Sequence, residues 1–125
     1  MENSSKTTII LGIVALTALI GVLVYANNTP GKLDGFAQCL KDKGATFYGA
    51  FWCPHCQAQK ALFGKSKKYL PYVECSTSDA KGQLPICIEK GIASYPTWFF
   101  ADMSTSTGEV PLATLSEKTG CPLPN

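Results

Sequence analysis

The hydrophobic positions of this chain fall into one long run and a series of short patterns. Residues 7–26 carry no charged side chain, and a helix of that length spans about 30 Å, the thickness of a bilayer core. Because no polar face interrupts the run, a core helix in a small soluble domain explains it poorly. The run predicts a single transmembrane helix. The alternative is a secretion signal cleaved after the small residues that include Val24 and Ala26, although the run is longer than the apolar region of such signals.

The rest of the chain alternates between helical and extended patterns. We predict a short tail at 1–6, a turn-rich linker at 27–32 and one domain at 33–125. The predicted order is helix, strand, helix, strand, helix, strand, strand, helix, which builds an α/β fold with a central sheet flanked by helices.

The predicted elements follow from local signals. Apolar spacing of about 3.6 indicates helices, and short aromatic or β-branched runs indicate strands. Thr114 followed by Glu117 resembles a capping box at the start of the last helix. The stretches concerned are LDGFAQCLKDKG (helix), ATFYGAFW (strand), PHCQAQKALFGKSKKYL (helix), YVEC (strand), a short helix that Gly91 closes, TWFFA and EVPLA (strands paired across DMSTSTG), and TLSEKTG (helix).

Charge and cysteine content narrow the range of functions. All 11 basic residues are lysines, against 9 acidic residues. Without arginine the chain lacks the planar fork that reads guanine or clamps phosphate, so nucleic acid is not an expected partner. The 6 cysteines suit an oxidising compartment. We therefore expect a single-pass protein of the cell membrane with its domain on the extracytoplasmic side, or a secreted domain if the first helix is cleaved.

The stretch AFWCPHCQAQK holds two cysteines at a spacing that suits redox chemistry. Cys53 falls at the predicted start of a helix, where free backbone N–H groups and the helix dipole stabilise a thiolate. Cys56 lies about one turn further on and can close a disulfide with it, while His55 adds partial positive charge beside it. A zinc site would need two more ligands, and neither a second CxxC nor another histidine is present, so we expect no metal. A structural disulfide is the remaining alternative.

The motifs FWCPHC and, further along, YPT together resemble the thioredoxin superfamily. The resemblance implies that Pro96 follows a cis peptide bond and shapes the substrate groove, with Trp52 and Tyr95 completing the substrate platform. The small size, FYGAFWCPHCQAQK, the Cys75 and Cys87 pair and the ending LSEKTGC look like the thioredoxin-like domain found fused or adjacent to vitamin K epoxide reductase homologues.

The resemblance implies an enzyme that exchanges thiols and disulfides without a cofactor. Cys53 would be the nucleophile, Cys56 the resolving cysteine and His55 the residue that tunes the pair. We expect oxidation of client protein thiols, with reoxidation by a quinone-linked membrane partner of the epoxide reductase type. A reductase, or an anchored binding or holdase module with a structural CxxC, are the alternatives. Phe47 stands where the family usually has a buried acid, which leaves water, His55 or Glu74 as the proton acceptor.

Four further cysteines are available for structural bridges. Cys75 and Cys87 flank a polar loop of about 13 residues, and a bridge there is worth about 3 kcal/mol in the chain-entropy picture. Parity then pairs Cys39 with Cys121, tying the first helix of the domain to its tail. Free thiols or relay cysteines are the alternatives for this second pair, because the first and last helices of a thioredoxin-like layout usually lie on opposite faces.

Overall fold

The structure, a computed structural model, describes residues 2–125, so that Met1, part of the predicted tail, lies outside the described residues. The chain divides into two units, one up to Pro30 and one from Gly31 to Asn125.

The first unit is one helix, α1, from Glu2 to Asn28. Its segment Ser5–Asn28 has a mean hydropathy of 2.7 and is long and apolar enough to cross a membrane. The helix begins before the predicted span because residues 2–6 contain neither proline nor glycine to stop it. It ends just before Thr29, the residue that precedes Pro30 and is therefore disfavoured in helical conformation.

The second unit is a four-stranded mixed sheet with helices. The sheet order is β2-β1-β3-β4, in which β1 pairs parallel to β2 and antiparallel to β3, and β3 pairs antiparallel to β4. This architecture confirms the predicted thioredoxin-like α/β fold. The elements are α2 (Asp34–Asp42), β1 (Thr46–Gly49), α3 (Pro54–Ala61), a 3₁₀ helix (Gly64–Tyr69), β2 (Tyr72–Glu74), α4 (Pro85–Glu89), β3 (Thr97–Phe99), β4 (Thr105–Thr107) and α5 (Leu112–Thr119).

The main core is built around aromatic side chains of the central strands. Phe47 of β1 stacks on Trp98 of β3 at 5.0 Å between ring centroids, and meets the ring of Tyr72 edge-on at 5.1 Å. Phe47 and Trp98 are fully buried, as is Leu115 of α5. The position where the thioredoxin family usually has an acid is therefore a packing position in this chain.

The strand before Cys53 and Cys56 is shorter than predicted. It ends at Gly49, because the chain turns at Ala50, whose carbonyl accepts a hydrogen bond from the Cys53 N–H at 3.1 Å. Phe51 and Trp52, predicted to continue the strand, lie exposed instead. The helix that follows also stops early, at Ala61, and the 3₁₀ helix continues from Gly64.

The last hairpin differs from the prediction. The fourth strand is Thr105–Thr107, inside the stretch predicted to be a turn, and EVPLA (109–113) is not a strand. The turn is shorter than predicted, since the Phe100 N–H already bonds to the Ser104 carbonyl at 3.0 Å. Pro111 lacks the N–H that a paired strand donates, which disfavours EVPLA as sheet.

The predicted capping box at Thr114 is wrong. Helix α5 begins at Leu112, so Thr114 lies inside it, and Pro111 occupies the N-cap position with φ −57°, a value its ring favours. The helix ends at Thr119, and its C-cap Gly120 has φ 72°, a left-handed conformation that glycine adopts without a Cβ clash.

Both predicted bridges are present in the structure. Cys39 of α2 bonds to Cys121, and Cys75 bonds to Cys87, with Cα atoms 5.8 and 5.6 Å apart. The tail reaches α2 because Gly120 turns the chain immediately after α5 and leaves Cys121 buried against the main core.

Candidate active site

Cys53 is the N-cap residue of α3. Its Sγ accepts a hydrogen bond from the Cys56 N–H at 3.4 Å, and Pro54, which has no N–H to satisfy, fills the first helical position. The Cys53 side chain is 5% exposed and its thiol donates to the Tyr95 carbonyl at 3.8 Å. The helix start therefore supplies the hydrogen bond that the sequence predicts for this sulfur.

Cys56 lies behind Cys53, with no exposed surface, and both thiols are reduced. Burial, and next the hydrogen bond to Cys53, raises the pKa of Cys56 to about 12. Close packing on Gly49 explains the burial, since a Cβ at Gly49 would lie 2.9 Å from the Cys56 Sγ. Cys56 is thus a neutral thiol at neutral pH, and it must gain or lose a proton whenever it breaks or makes a disulfide.

The predicted substrate platform surrounds Cys53. The Tyr95–Pro96 peptide bond is cis, Pro96 is buried, and Trp52 meets the ring of Tyr95 edge-on at 6.0 Å. The Trp52 indole N–H donates to the Ser76 hydroxyl at 2.8 Å, and the Gln83 amide donates to the Tyr95 hydroxyl at 2.8 Å. Trp52 is 47% exposed, and its hydrogen bond to Ser76 fixes the orientation of its ring.

His55 points away from the cysteines' buried side. Its side chain is 71% exposed, and its Nδ1 lies 2.7 Å from Oε1 of Glu109, which is 44% exposed. The charge that His55 offers to Cys53 is therefore partly offset by Glu109. No sequence signal marks Glu109, which is 54 residues away along the chain.

A polar cluster lies on the far side of Cys56, formed by Lys60, Tyr72 and Glu74. The Lys60 Nζ lies 3.3 Å from the centroid of the Tyr72 ring, and the Tyr72 hydroxyl donates to Oε2 of Glu74 at 2.7 Å. Burial lowers the pKa of Lys60, opposed by the charge of Glu74; burial and the bond to Glu74 raise the pKa of Tyr72. Glu74 is among the residues predicted from the sequence, whereas Lys60 is not, although its position four residues after Cys56 on a predicted helix is a signal for it.

A CxxC at a helix start beside a cis-proline, on a mixed sheet with flanking helices, defines a thioredoxin-like protein. No family model matches the chain. It is 44% identical over 88 residues to Thiol-disulfide oxidoreductase LTO1 of Arabidopsis thaliana, an alignment that covers 67% of this chain and 23% of that protein. The chain thus spans about a quarter of its relative's length, and it is a homologue of a thiol-disulfide oxidoreductase, in agreement with the predicted enzyme class.

Proposed function

We propose that the chain is a membrane-anchored thiol-disulfide oxidoreductase that oxidises client protein thiols outside the cytoplasm. The observation that carries the proposal is the asymmetry of the two thiols. Cys53 caps a helix beside the Tyr95 carbonyl, while Cys56 is sealed behind it. A client sulfur can therefore approach Cys53 and not Cys56, which is the order that a two-step exchange requires.

The exchange proceeds in two balanced steps. A client thiolate attacks the Cys53 sulfur of the Cys53–Cys56 disulfide, the bond between the two cysteines breaks, and Cys56 leaves with the electron pair and gains a proton. A second client thiolate then attacks the client sulfur of the mixed disulfide and releases Cys53 as a thiolate. The client gains a disulfide, and the enzyme gains two electrons that a partner must remove.

The proposed direction, oxidation of the client, is supported by the contacts of the Cys53 sulfur. The hydrogen bond from the Cys56 N–H and the N-terminus of α3 both favour the reduced enzyme, and a stabilised reduced form makes a stronger oxidant. A reductase is the second candidate, since Glu109 offsets the charge of His55. The potential of the couple separates them, because a value near about −120 mV indicates an oxidant and one near about −270 mV a reductase.

The proposed location is the cell membrane. Helix α1 is long and apolar enough to anchor the chain, and two disulfides in the following unit suit an oxidising compartment. The proposed electron acceptor is a quinone-linked membrane partner of the vitamin K epoxide reductase type, supported by the resemblance of the CxxC region to domains that accompany such enzymes.

Trapping of the mixed disulfide tests the proposed function. The full chain in detergent micelles, carrying Cys56→Ser, should accumulate a reducible adduct with a peptide that holds a disulfide, because Cys53 attacks and no resolving thiol follows. The matched Cys53→Ser variant should accumulate none. Equal adducts from both variants, or none from either, would contradict the exchange mechanism and favour a non-catalytic binding or holdase module whose CxxC is structural.

A further inference from the structure

Cys56 has to gain a proton when the Cys53–Cys56 disulfide opens, and the two cysteines cannot supply that proton themselves. It has no exposed surface, and burial raises its pKa to about 12, so it cannot remain a free thiolate when the disulfide opens. Phe47 packs between the rings of Trp98 and Tyr72 and offers no acid or base from β1. Water has no direct access to the buried sulfur, and a neighbouring side chain has to carry the proton.

Glu74 is poorly placed to do so. Its Oε1 accepts hydrogen bonds from the backbone N–H groups of Phe51 at 3.2 Å and Ser76 at 2.9 Å, and its Oε2 accepts from the Tyr72 hydroxyl at 2.7 Å. With these three hydrogen bonds the carboxylate is tied to the backbone of the turn and to Tyr72, and it holds these neighbours in place. Its geometry fits a positioning residue.

Lys60 has the position that Glu74 lacks. It follows Cys56 by one turn of α3, on the same face of the helix. Its Nζ lies on the face of the Tyr72 ring, and the edge of that ring borders Cys56, because a Cβ at Gly49 would meet the Tyr72 Cε2 at 3.0 Å and the Cys56 Sγ at 2.9 Å. Lys60 is half-buried, and it lines a groove of about 670 Å³ that is open to solvent.

We propose that Lys60 donates the proton to Cys56 when the Cys53–Cys56 disulfide opens, and takes it back when the disulfide re-forms. Tyr72 and Glu74 are positioning residues, the first holding the Lys60 ammonium on its ring and the second fixing that ring through its hydroxyl. The proposal rests on the proposed function only in naming a client protein as the attacking thiol. The step itself, the opening of the Cys53–Cys56 disulfide, occurs with any attacking thiol.

The step balances in both directions. On opening, the attacking thiolate bonds to the Cys53 sulfur, the Cys53–Cys56 bond breaks, and the departing Cys56 sulfur takes a proton from the Lys60 ammonium. On closing, the Cys56 thiol returns its proton to the Lys60 amine and attacks Cys53 in the mixed disulfide with the oxidising partner, whose sulfur leaves with the electron pair. In that mixed disulfide Cys53 has no thiol or charge, so two of the causes that raise the pKa of Cys56 are absent.

The charged and titratable groups around Lys60 set the pH range of its action. Cys56 on its own helix and Glu74 on β2 favour the ammonium, Lys67 on the 3₁₀ helix disfavours it, and Tyr72 on β2 supplies the ring. Burial dominates and lowers the pKa of Lys60 from 10.5. A proton donor whose pKa is lowered is present below that pKa and lost as the pH rises through it.

The test is the rate at which a small dithiol opens the disulfide of the oxidised full chain in micelles, measured across pH and corrected for the ionised fraction of the attacking thiol. We expect Lys60→Met to slow opening by about a hundredfold at neutral pH, a size typical of general acid catalysis. The ratio of wild-type to variant rate should fall towards one in alkaline buffer. Lys68→Met is the matched control, since Lys68 is exposed and lies over a different ring, that of Tyr69, and it should leave the rate unchanged.

Lys60→Arg separates proton donation from charge. Arginine keeps the positive charge but does not give up a proton in this pH range, so its rate should fall below wild type at neutral pH. The ratio of the wild-type to the Lys60→Arg rate should decrease as the pH rises, because wild-type Lys60 then loses the proton that it donates. A ratio of one for Lys60→Met at neutral pH, a ratio independent of pH, or a wild-type profile for Lys60→Arg would each overturn the proposal. Because a small dithiol replaces the client, these outcomes remain distinct from a failure of client oxidation, which the trapping experiment reports.

Discussion

Gln59 joins helix α3 to a distant segment by two hydrogen bonds inside the protein. Its side chain has no exposed surface; its Nε2 donates to the Val110 carbonyl at 3.0 Å, and its Oε1 accepts from the Val110 N–H at 2.6 Å. Val110 is itself buried and follows Glu109, the partner of His55. We predict that Gln59→Met, which keeps the side-chain volume, destabilises the protein strongly.

The expected loss in the free energy of unfolding comes from the N–H and the carbonyl of Val110, which both lose their hydrogen-bond partner in the variant. A buried donor or acceptor left without a partner costs about 1–3 kcal/mol, so the loss at both groups of Val110 amounts to about 2–6 kcal/mol. Whole domains of this size have a free energy of unfolding of about 5–15 kcal/mol. The variant should therefore be folded only marginally, or unfold at a much lower urea concentration.

Urea unfolding of the full chain in micelles, followed by tryptophan fluorescence, measures the effect, because Trp98 is buried in the main core. Gln57→Met is the matched control in the same helix. Gln57 is exposed, and its Nε2 bonds at 2.9 Å to the Phe51 carbonyl, which water can reach after the substitution. A Gln59→Met protein as stable as the Gln57→Met control would show that the two Gln59–Val110 hydrogen bonds do not stabilise the fold as predicted.

Three further outcomes are expected. Replacing His55 by glutamine should make the couple less oxidising by on the order of 10 mV, as an exposed charge allows. Equilibration with a glutathione buffer measures the change. The Cys39–Cys121 bridge closes a span of 82 residues. Replacing both cysteines by alanine should lower the free energy of unfolding by about 4.5 kcal/mol. An unchanged midpoint of urea unfolding would contradict the bridge. In the reduced chain the raised pKa of Cys56 contributes to stability, fully so below the thiol's ordinary pKa of 9.0, and the contribution is lost as the pH rises through about 12. Urea unfolding of the reduced chain should show this loss of stability. The oxidised chain, measured in parallel, should not show it.

The sequence was sufficient for the features that depend on local pattern. The helix start at Pro54 and the glycine that follows α5 depend on residues within one or two turns, and the long apolar helix depends on one continuous run of residues. The last hairpin could not be predicted in this way. Its true strand, Thr105–Thr107, is polar and short, and it is selected by pairing with β3, a long-range contact that its composition does not signal.

The residues of the candidate site also fall into two groups, those that a local motif predicts and those that a long-range contact brings in. Both cysteines and the cis-proline come from motifs, whereas Glu109 reaches His55 from 54 residues away and Tyr72 reaches the Cys56 region because β2 pairs in parallel with β1, with Phe47 opposite Tyr72. Lys60 is intermediate, since its helical spacing from Cys56 is local but its contact with the Tyr72 ring is not. The residues predicted to bind and react come from sequence motifs, whereas the charged and polar residues around them are brought there by contacts between distant parts of the chain.

Glu74 shows why the proton path has to be separated from the structure of the turn. The same carboxylate accepts a hydrogen bond from the Phe51 N–H, which lies in the turn before the two cysteines. It also accepts one from the hydroxyl of Tyr72, whose ring lies against Lys60. Glu74→Gln would disturb both, and a slower exchange could not be assigned to either. Tyr72→Phe removes only the second hydrogen bond and keeps the ring under Lys60, so the turn stays clamped. If Lys60 carries the proton, this variant should keep a pH-dependent advantage over its Lys60→Met double mutant, and the acid that β1 lacks is replaced by an amine from α3.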